Sequence, residues 1–334
     1  MPIFPETDKR ALPQGGWEHR SERRLSLAQQ GGTVQILATR AQRTLARSVT
    51  LTGRGLISGQ PVRLSLHPAP PDSGIVFRRV DLPGAPLIPA QVSAAVGTQR
   101  RTTLGNSSHS VTVVEHLLAA LAGLRIDNCR IDLEGPEPPG LDGSAADYAR
   151  LLLSAGSILQ PRPRRIWSVT QTLTLRRDGA TLTLHPPPPG CCDLRLTYLL
   201  DYGPLAPIAP QRFSVRLTPA AFLQEVAPCR TFLTVREAQQ LREQGIGTHL
   251  QPSDILVFGP SGPVDNRLRF ADEPARHKIL DLIGDLALFG EDLAGHIVAC
   301  RSGHTLNVEL ARRLGQGRQA YTRPAPARAF SWAA

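Results

Sequence analysis

"RHKILDLIGDL", Arg276 to Leu286, places His277, Asp281 and Asp285 four residues apart in a run otherwise built of Ile and Leu. At about 100° per residue, with His277 at zero, Asp281 falls near 40°, Asp285 near 80° and Lys278 near 100°. The Ile and Leu residues fall between roughly 140° and 300°. The run therefore reads as an amphipathic helix whose polar groups share one narrow edge. Such an edge is either a solvated stripe or one side of a metal site, because a His and an Asp at i and i+4 can reach one cation. The spacing alone leaves both readings open.

A second stretch bears on the choice. "SVTVVEHLLAALAGL", Ser110 to Leu124, reads as a helix in which Glu115 and His116 precede an almost wholly apolar remainder, so this helix must be buried. A glutamate there is costly unless it is paired, sits at the helix N-terminus, or is used. A capping Glu with a satisfied core His is one reading. The other is catalytic, since a catalytic zinc needs three protein ligands, an open position for water and a nearby base. His116, His277 and Asp281 with Glu115 make such a set. "SGHTLN" puts His304 after a strand at a helix start, either as a cap or as the acid for a leaving group. "PCRTFL" puts the hydroxyl of Thr231 beside Phe232, either as a buried strand Thr or as a polar handle in a site.

The organisation of the chain supports a site between two halves. Residues 1 to about 41 mix charged, Gly, Gln and Pro residues without periodicity and read as a disordered extension. From Gln42 to 162 the text is regular. "RSVTLTGRGLISGQPVRLSLHPAP" reads as two strands around a Gly-rich turn, then come the Glu115 helix, the strand "NCRIDLEG", and a helix in "DGSAADYARLLLSAG" with Ser144 as its cap. "QPRPRR" reads as the boundary. Residues 166 to 315 open with the strands "SVTQTLTLRR", "ATLTLHP" and "DLRLTYLLDY". They close with a helix from Glu273 to Phe289, the strand "GHIVACRSG" and the helix "HTLNVELARRL". Residues 316–334 read as a tail. His116 precedes Ser144 by 28 residues and His277 precedes His304 by 27, each pair bracketing helix, strand and helix. An internal duplication follows as the expectation: an α+β fold of two similar halves, each a small sheet packed on helices, with the site between them.

Composition bounds the function. The 334 residues carry 41% hydrophobic and 20% charged residues, the balance of a globular protein. No run approaches the roughly 18 apolar residues of a membrane span, and the first residues hold no apolar core of signal-peptide type. Cys129, Cys191, Cys192, Cys229 and Cys300 form no C-x-x-C and suit reduced thiols in a cytoplasm. The net charge of +10 is spread along the chain, and aromatic residues make up only 5%. Stacking platforms and a nucleic-acid motif are absent, so no nucleic-acid partner is expected. The charge suits an anionic small substrate or weak attraction to a membrane surface, and a monomer is the expected state.

The strings "TVVEHLLAALAGLRIDNCRIDLEGPEPPGLDGSA", "RTF", "DEPARHKILDLIGDL" and "SGHTLN" resemble, in order and spacing, the UDP-3-O-acyl-N-acetylglucosamine deacetylase family, from about Gln42 to Leu314. The resemblance implies a zinc amidohydrolase of two α+β halves, acting at the committed step of lipid A synthesis. It implies zinc held by His116, His277 and Asp281, with Glu115 as general base and His304 as general acid or as a positive charge. It also implies Thr231 on the oxyanion, Lys278 and Asp285 steadying the site, and Phe232 against the substrate. Two features depart from the family. "GRGLISG" has Ile57 where the family has His, and "GIGTHLQPSDILVF" stands where a Gly-Gly-Ser run is usual. The second lies in the insert, about 228–262, which walls the acyl tunnel in the family, so acyl length and exact substrate are the open points. A diverged relative acting on another acylated amino sugar, and a non-catalytic nucleotide-sugar binder, are the alternatives.

Overall fold

A computed structural model describes residues 34–251 and 254–322. The first strand, β1 (Val34–Leu45), is followed by β2 (Val49–Arg54), β3 (Pro61–Pro68), β4 (Ile75–Arg79) and β5 (Ile88–Pro89). Three short strands, β6 (Ala95–Gly97), β7 (Thr103–Gly105) and β8 (Ser110–Thr112), form a small sheet and lead into helix α1 (Glu115–Gly123). Then come β9 (Cys129–Glu134), α2 (Ala146–Ala155) and the long β10 (Ser157–Val169). The second half runs β11 (Leu173–Arg177), β12 (Ala180–His185), β13 (Leu194–Leu200), β14 (Gln211–Arg216) and a single turn α3 (Pro219–Ala221), which continues into a π-type turn at Phe222–Val226. An insert follows, made of β15 (Phe232–Thr234), α4 (Val235–Glu243), β16 (Leu256–Gly259) and β17 (Gly262–Pro263). The chain then forms α5 (Glu273–Leu286), β18 (Asp292–Leu293), β19 (Gly295–Cys300) and α6 (His304–Thr322).

The architecture is α+β, and its two five-stranded sheets have one topology. The first has order β2-β3-β9-β4-β5, the second β11-β12-β19-β13-β14. In both, only the pairing of the third strand with the fourth is parallel (β9 with β4, β19 with β13). Equivalent strands carry similar words, "RLSLHPAPP" from Arg63 and "TLTLHPPPP" from Thr181, which supports the reading of a duplication. Alternation sets the inner faces: Val62, Leu64 and Leu66 on β3, and Leu182 and Leu184 on β12, are buried. Between the sheets lie α1 and α5. Nearly every residue of both is buried, so neither has a solvated side.

Four sequence expectations are corrected. "QPRPRR" is no break: it lies inside β10, which pairs antiparallel with β1 along its length. Its prolines are tolerated because β18 pairs only with Ile166 and Trp167, leaving that edge open, and a register shift at Ala41/Gln42 absorbs the extra residues. Val34–Ala41, expected within the irregular extension, begins β1, and residues 316–322, expected as tail, continue α6; residues 1–33 and 323–334 lie outside the described residues. The helix expected from Ser110 starts at Glu115, and Ser110–Thr112 is strand β8. Ser144 does accept the Ala146 amide at 3.2 Å, close to its expected capping role. Arg164, from the expected boundary, joins Arg40 in a clasp across the halves. Arg40 binds Asp127 at 2.7 Å and Asp292 at 2.6 Å, and Arg164 binds Asp292 at 3.1 Å.

The two halves also approach closely helix on helix, at α1 and α5. A Cβ added to Gly284 of α5 would lie 2.0 Å from the carbonyl oxygen of Glu115 on α1, with further Glu115 backbone atoms behind it. Glycine is the residue that permits this crossing, and backbone cannot yield as a flexible side chain can. Gly315, inside α6, would bring a new Cβ only to 3.8 Å from Val92. Gly284→Ala should therefore cost about 1–3 kcal/mol or more, whereas Gly315→Ala should gain about 0.5–1 kcal/mol by its helix preference. Denaturant unfolding of the two variants checks this; equal midpoints would show that the crossing is slack.

Candidate metal and catalytic centre

The α1–α5 crossing brings His116, His277 and Asp281 together. One ligand atom from each lies within 4.8 Å of the others, and all three residues are buried. His277 Nε2 is 3.3 Å and His116 Nε2 3.6 Å from Asp281 Oδ1. The two rings stand edge to face with centroids 5.1 Å apart. Partners outside this trio fix its orientation. His277 Nδ1 donates to the carbonyl of Cys229 at 3.0 Å, which leaves the Nε2 lone pair directed at the cluster. Asp281 accepts Lys278 Nζ on Oδ2 at 2.5 Å, leaving Oδ1 to face both imidazoles. Two imidazole nitrogens and one carboxylate oxygen form a donor set that suits zinc.

The electrostatics follow from burial and pairing. Burial pushes His277 down to about 4, so the ring is neutral at ordinary pH, as a metal ligand must be. Burial alone would raise Asp281, but Lys278, His277 and His116 outweigh it and hold the carboxyl well below its usual range. Lys278 is held protonated, since the charge of Asp281 overcomes the burial that would lower it. Glu115 is pushed up by burial, partly offset by His304 and His116. A carboxyl poised in this way suits proton transfer.

A second buried group lines the same cavity. His304 Nδ1 donates to Asp285 Oδ2 at 2.9 Å, and Asp285, itself fully buried, also accepts Asn307 at 2.9 Å and the Thr102 hydroxyl at 2.5 Å. Burial would depress His304, yet Asp285, Glu115 and Asp281 together raise it to about 9. Thr102 also gives its backbone N–H to Glu115 Oε2 at 3.1 Å, so one residue touches the carboxylates on both sides. Neither Thr102 nor Asn307 was singled out from sequence. Asn307 was within reach, three residues after His304 on the same helix face; Thr102 was not, because the 95–112 segment carries no strong periodicity.

A cavity of about 440 Å³ opens over this centre. Of the nine residues expected from sequence, eight line it; Asp285 lies behind His304. Phe232 packs edge-on against His277, with centroids 6.1 Å apart, and against Tyr202 at 6.0 Å. Thr231 lines the wall, and its hydroxyl donates to the Gly143 carbonyl at 3.0 Å. Arg230 carries this segment: its guanidinium and amide both bind Glu273, at 2.9 and 3.1 Å, at the start of α5. Val113 also lines the cavity and has φ 54, a strained conformation for a β-branched residue, at the turn from β8 into α1. The remaining wall is apolar, with Leu56, Ile57, Leu250, Ile255 and Val257.

By geometry this is a candidate metal centre flanked by a buried carboxyl and a buried imidazolium. The chain belongs to the UDP-3-O-acyl N-acetylglycosamine deacetylase family, whose profile matches residues 42–316. It is 43% identical to a UDP-3-O-acyl-N-acetylglucosamine deacetylase of Thermosynechococcus vestitus, over 86% of this chain and 98% of the relative. Relatives of the same name from Trichormus variabilis and Anaeromyxobacter dehalogenans are 40% and 41% identical, over 82% and 83% of this chain and 98% and 88% of the relatives.

The Asp285–His304 pair yields a direct test. His304 should be cationic at neutral pH and lose its proton near pH 9. Asp285→Asn should lower that midpoint by about 1–3 pH units, read by NMR titration of the ring in the metal-free protein. An unchanged midpoint would remove Asp285 as the source of the charge.

Proposed function

We propose that this protein hydrolyses the acetamide of UDP-3-O-acyl-N-acetylglucosamine, releasing acetate and UDP-3-O-acyl-glucosamine, with zinc held by His116, His277 and Asp281. The observation that carries the reading is the His116–His277–Asp281 trio together with Glu115 and His304 in one cavity. Family membership and the names of the relatives support the substrate. Zinc, when bound, supplies Lewis acidity and lowers the pKa of a water towards about 7.

The chain's own groups do the rest. Glu115 takes a proton from the attacking water as the C–O bond forms, and burial raises the basicity of its carboxyl. His304, cationic at neutral pH, places positive charge beside the developing oxyanion and holds a proton for the departing amine. Lys278 neutralises the outer oxygen of Asp281, and Asp285 with Thr102 and Asn307 keeps His304 in orientation. Thr231 would aid the oxyanion after rotating from Gly143. Phe232 offers an apolar face to the substrate beside His277.

A single chain holds the whole set, so a monomer acting in the cytoplasm at the lipid A step is the accompanying proposal. No helix among the described residues is long and apolar enough to cross a membrane. The intact base and acid argue against a binding protein without catalysis, which would need neither.

Glu115→Ala should keep its zinc and lose about 10²–10⁴-fold in acetate release, while His277→Ala should lose most of its zinc. Elemental analysis beside an acetate assay separates the two. Normal turnover in Glu115→Ala, or full zinc in His277→Ala, would contradict the assigned roles.

A further inference from the structure

The two stretches in which this sequence departs from its family meet in space. The loop Gly55–Gln60, which carries Ile57, is fastened to the first half by Glu137. That carboxylate is fully buried and accepts the amides of Ile57 at 3.1 Å and Ser58 at 2.6 Å. Gly55 is needed there, since a Cβ would fall 2.3 Å from Glu137 Oε1. On the loop's other side lies the turn Gly247–Leu250 of the insert, closed by the Leu250 amide on the Gly247 carbonyl at 3.1 Å. That turn sends neighbouring side chains in different directions. Leu250 lines the cavity, whereas His249 reaches across to the loop. His249 Nε2 donates to the Gly55 carbonyl at 3.1 Å, and its ring lies flush on Gly59, where a Cβ would come within 2.7 Å.

This contact joins two walls of the cavity that come from different halves of the chain. Ile57 and Leu250 both pack on the small apolar cluster of Leu56, Val113, Ala238, Ile255 and Val257. Beside that apolar cluster, the hydrogen bond from His249 to the Gly55 carbonyl ties the two walls together. The Glu137 end is held by several hydrogen bonds. The insert also meets the first half at Thr231–Gly143, 2.8 Å, and at Arg100–Glu237, 3.3 Å, but its hydrogen bond to the Gly55–Gly59 loop is the one from His249.

We propose that His249 is a positioning residue for the acyl group: by fastening the insert to the Gly55–Gly59 loop it fixes the gap between Ile57 and Leu250, and so the acyl length the cavity accepts. The proposal rests on the deacetylase reading for its substrate but not for its geometry. In the intact protein, each methylene that fits adds roughly fourfold in binding, and a chain too long for the gap loses it abruptly. His249→Ala frees the insert wall and moves that cut-off to longer chains. His249→Gln keeps an N–H donor for the Gly55 carbonyl and keeps the cut-off.

Two measurements on the full chain test this: calorimetric binding of free fatty acids of graded length, and kcat/KM for UDP-3-O-acyl-N-acetylglucosamines of the same lengths. UDP-N-acetylglucosamine without the acyl group serves as control. In His249→Ala, chains just beyond the wild-type cut-off should gain roughly tenfold relative to the optimum, through KM rather than kcat. Turnover of the unacylated sugar should be unchanged, and His249→Gln should follow the wild type. A cut-off at the wild-type length in His249→Ala, or a loss equal at all lengths and on the unacylated sugar, would overturn the proposal. A cut-off that moves in fatty-acid binding while wild type and variant release no acetate would uphold the role of His249 and sink the deacetylase reading instead.

Discussion

Everything at the centre depends on how closely α1 and α5 cross. Gly284 lets the backbone of α5 lie against the carbonyl of Glu115. That contact sets the position of Glu115 and His116 relative to His277 and Asp281. The clustering of His116, His277 and Asp281 is then a consequence of two helices held at one distance, each contributed by a different half. The Arg40–Asp127–Asp292 clasp and the pairing of β1 with β10 hold the halves from outside. The Arg230–Glu273 pair draws Thr231 and Phe232 onto the start of α5. A buried pair of this kind contributes little net stability, but removing one partner is costly because the other charge stays buried. Its value here is one of register.

The charges make sense only together. Three buried carboxyls, Glu115, Asp281 and Asp285, stand near Lys278 and His304, in a setting where an unpaired charge is expensive. His277 stays neutral because burial dominates it, and His304 is cationic because Asp285 and Glu115 dominate its burial. Two buried histidines, His277 beside Asp281 and His304 beside Asp285, are thus shifted in opposite directions, one suited to holding a cation and the other to holding a proton. Thr102 ties the two sides, with its amide on Glu115 and its hydroxyl on Asp285.

Much of this was legible in the sequence. The polar edge of "HKILDLIGDL" showed that His277, Asp281 and Asp285 share a side, and the apolar run after His116 showed that α1 is buried. Spacing could not show that the edge of α5 faces α1 rather than water, since the angle is the same in either case; the resemblance of whole strings supplied that step. The role of Gly284 was hidden because a glycine in a helix reads locally as a mere weakness. The prolines of "QPRPRR" read as a break because the open edge of β10, which tolerates them, is a tertiary fact. "RLSLHP" and "TLTLHP" lie on equivalent strands, but four matching residues in a proline-rich setting were too short to stand out. Thr102 and His249 act through contacts with residues far away in the chain, and no local pattern announces such contacts.

On the proposed function, acetate release depends on a cation held between α1 and α5. The most direct measurement is acetate release from UDP-3-O-acyl-N-acetylglucosamine by the protein as purified, after a chelator, and after zinc is restored at one equivalent per chain. Loss with the chelator and recovery at one equivalent is the expected result. Release that survives complete removal of metal would contradict the account.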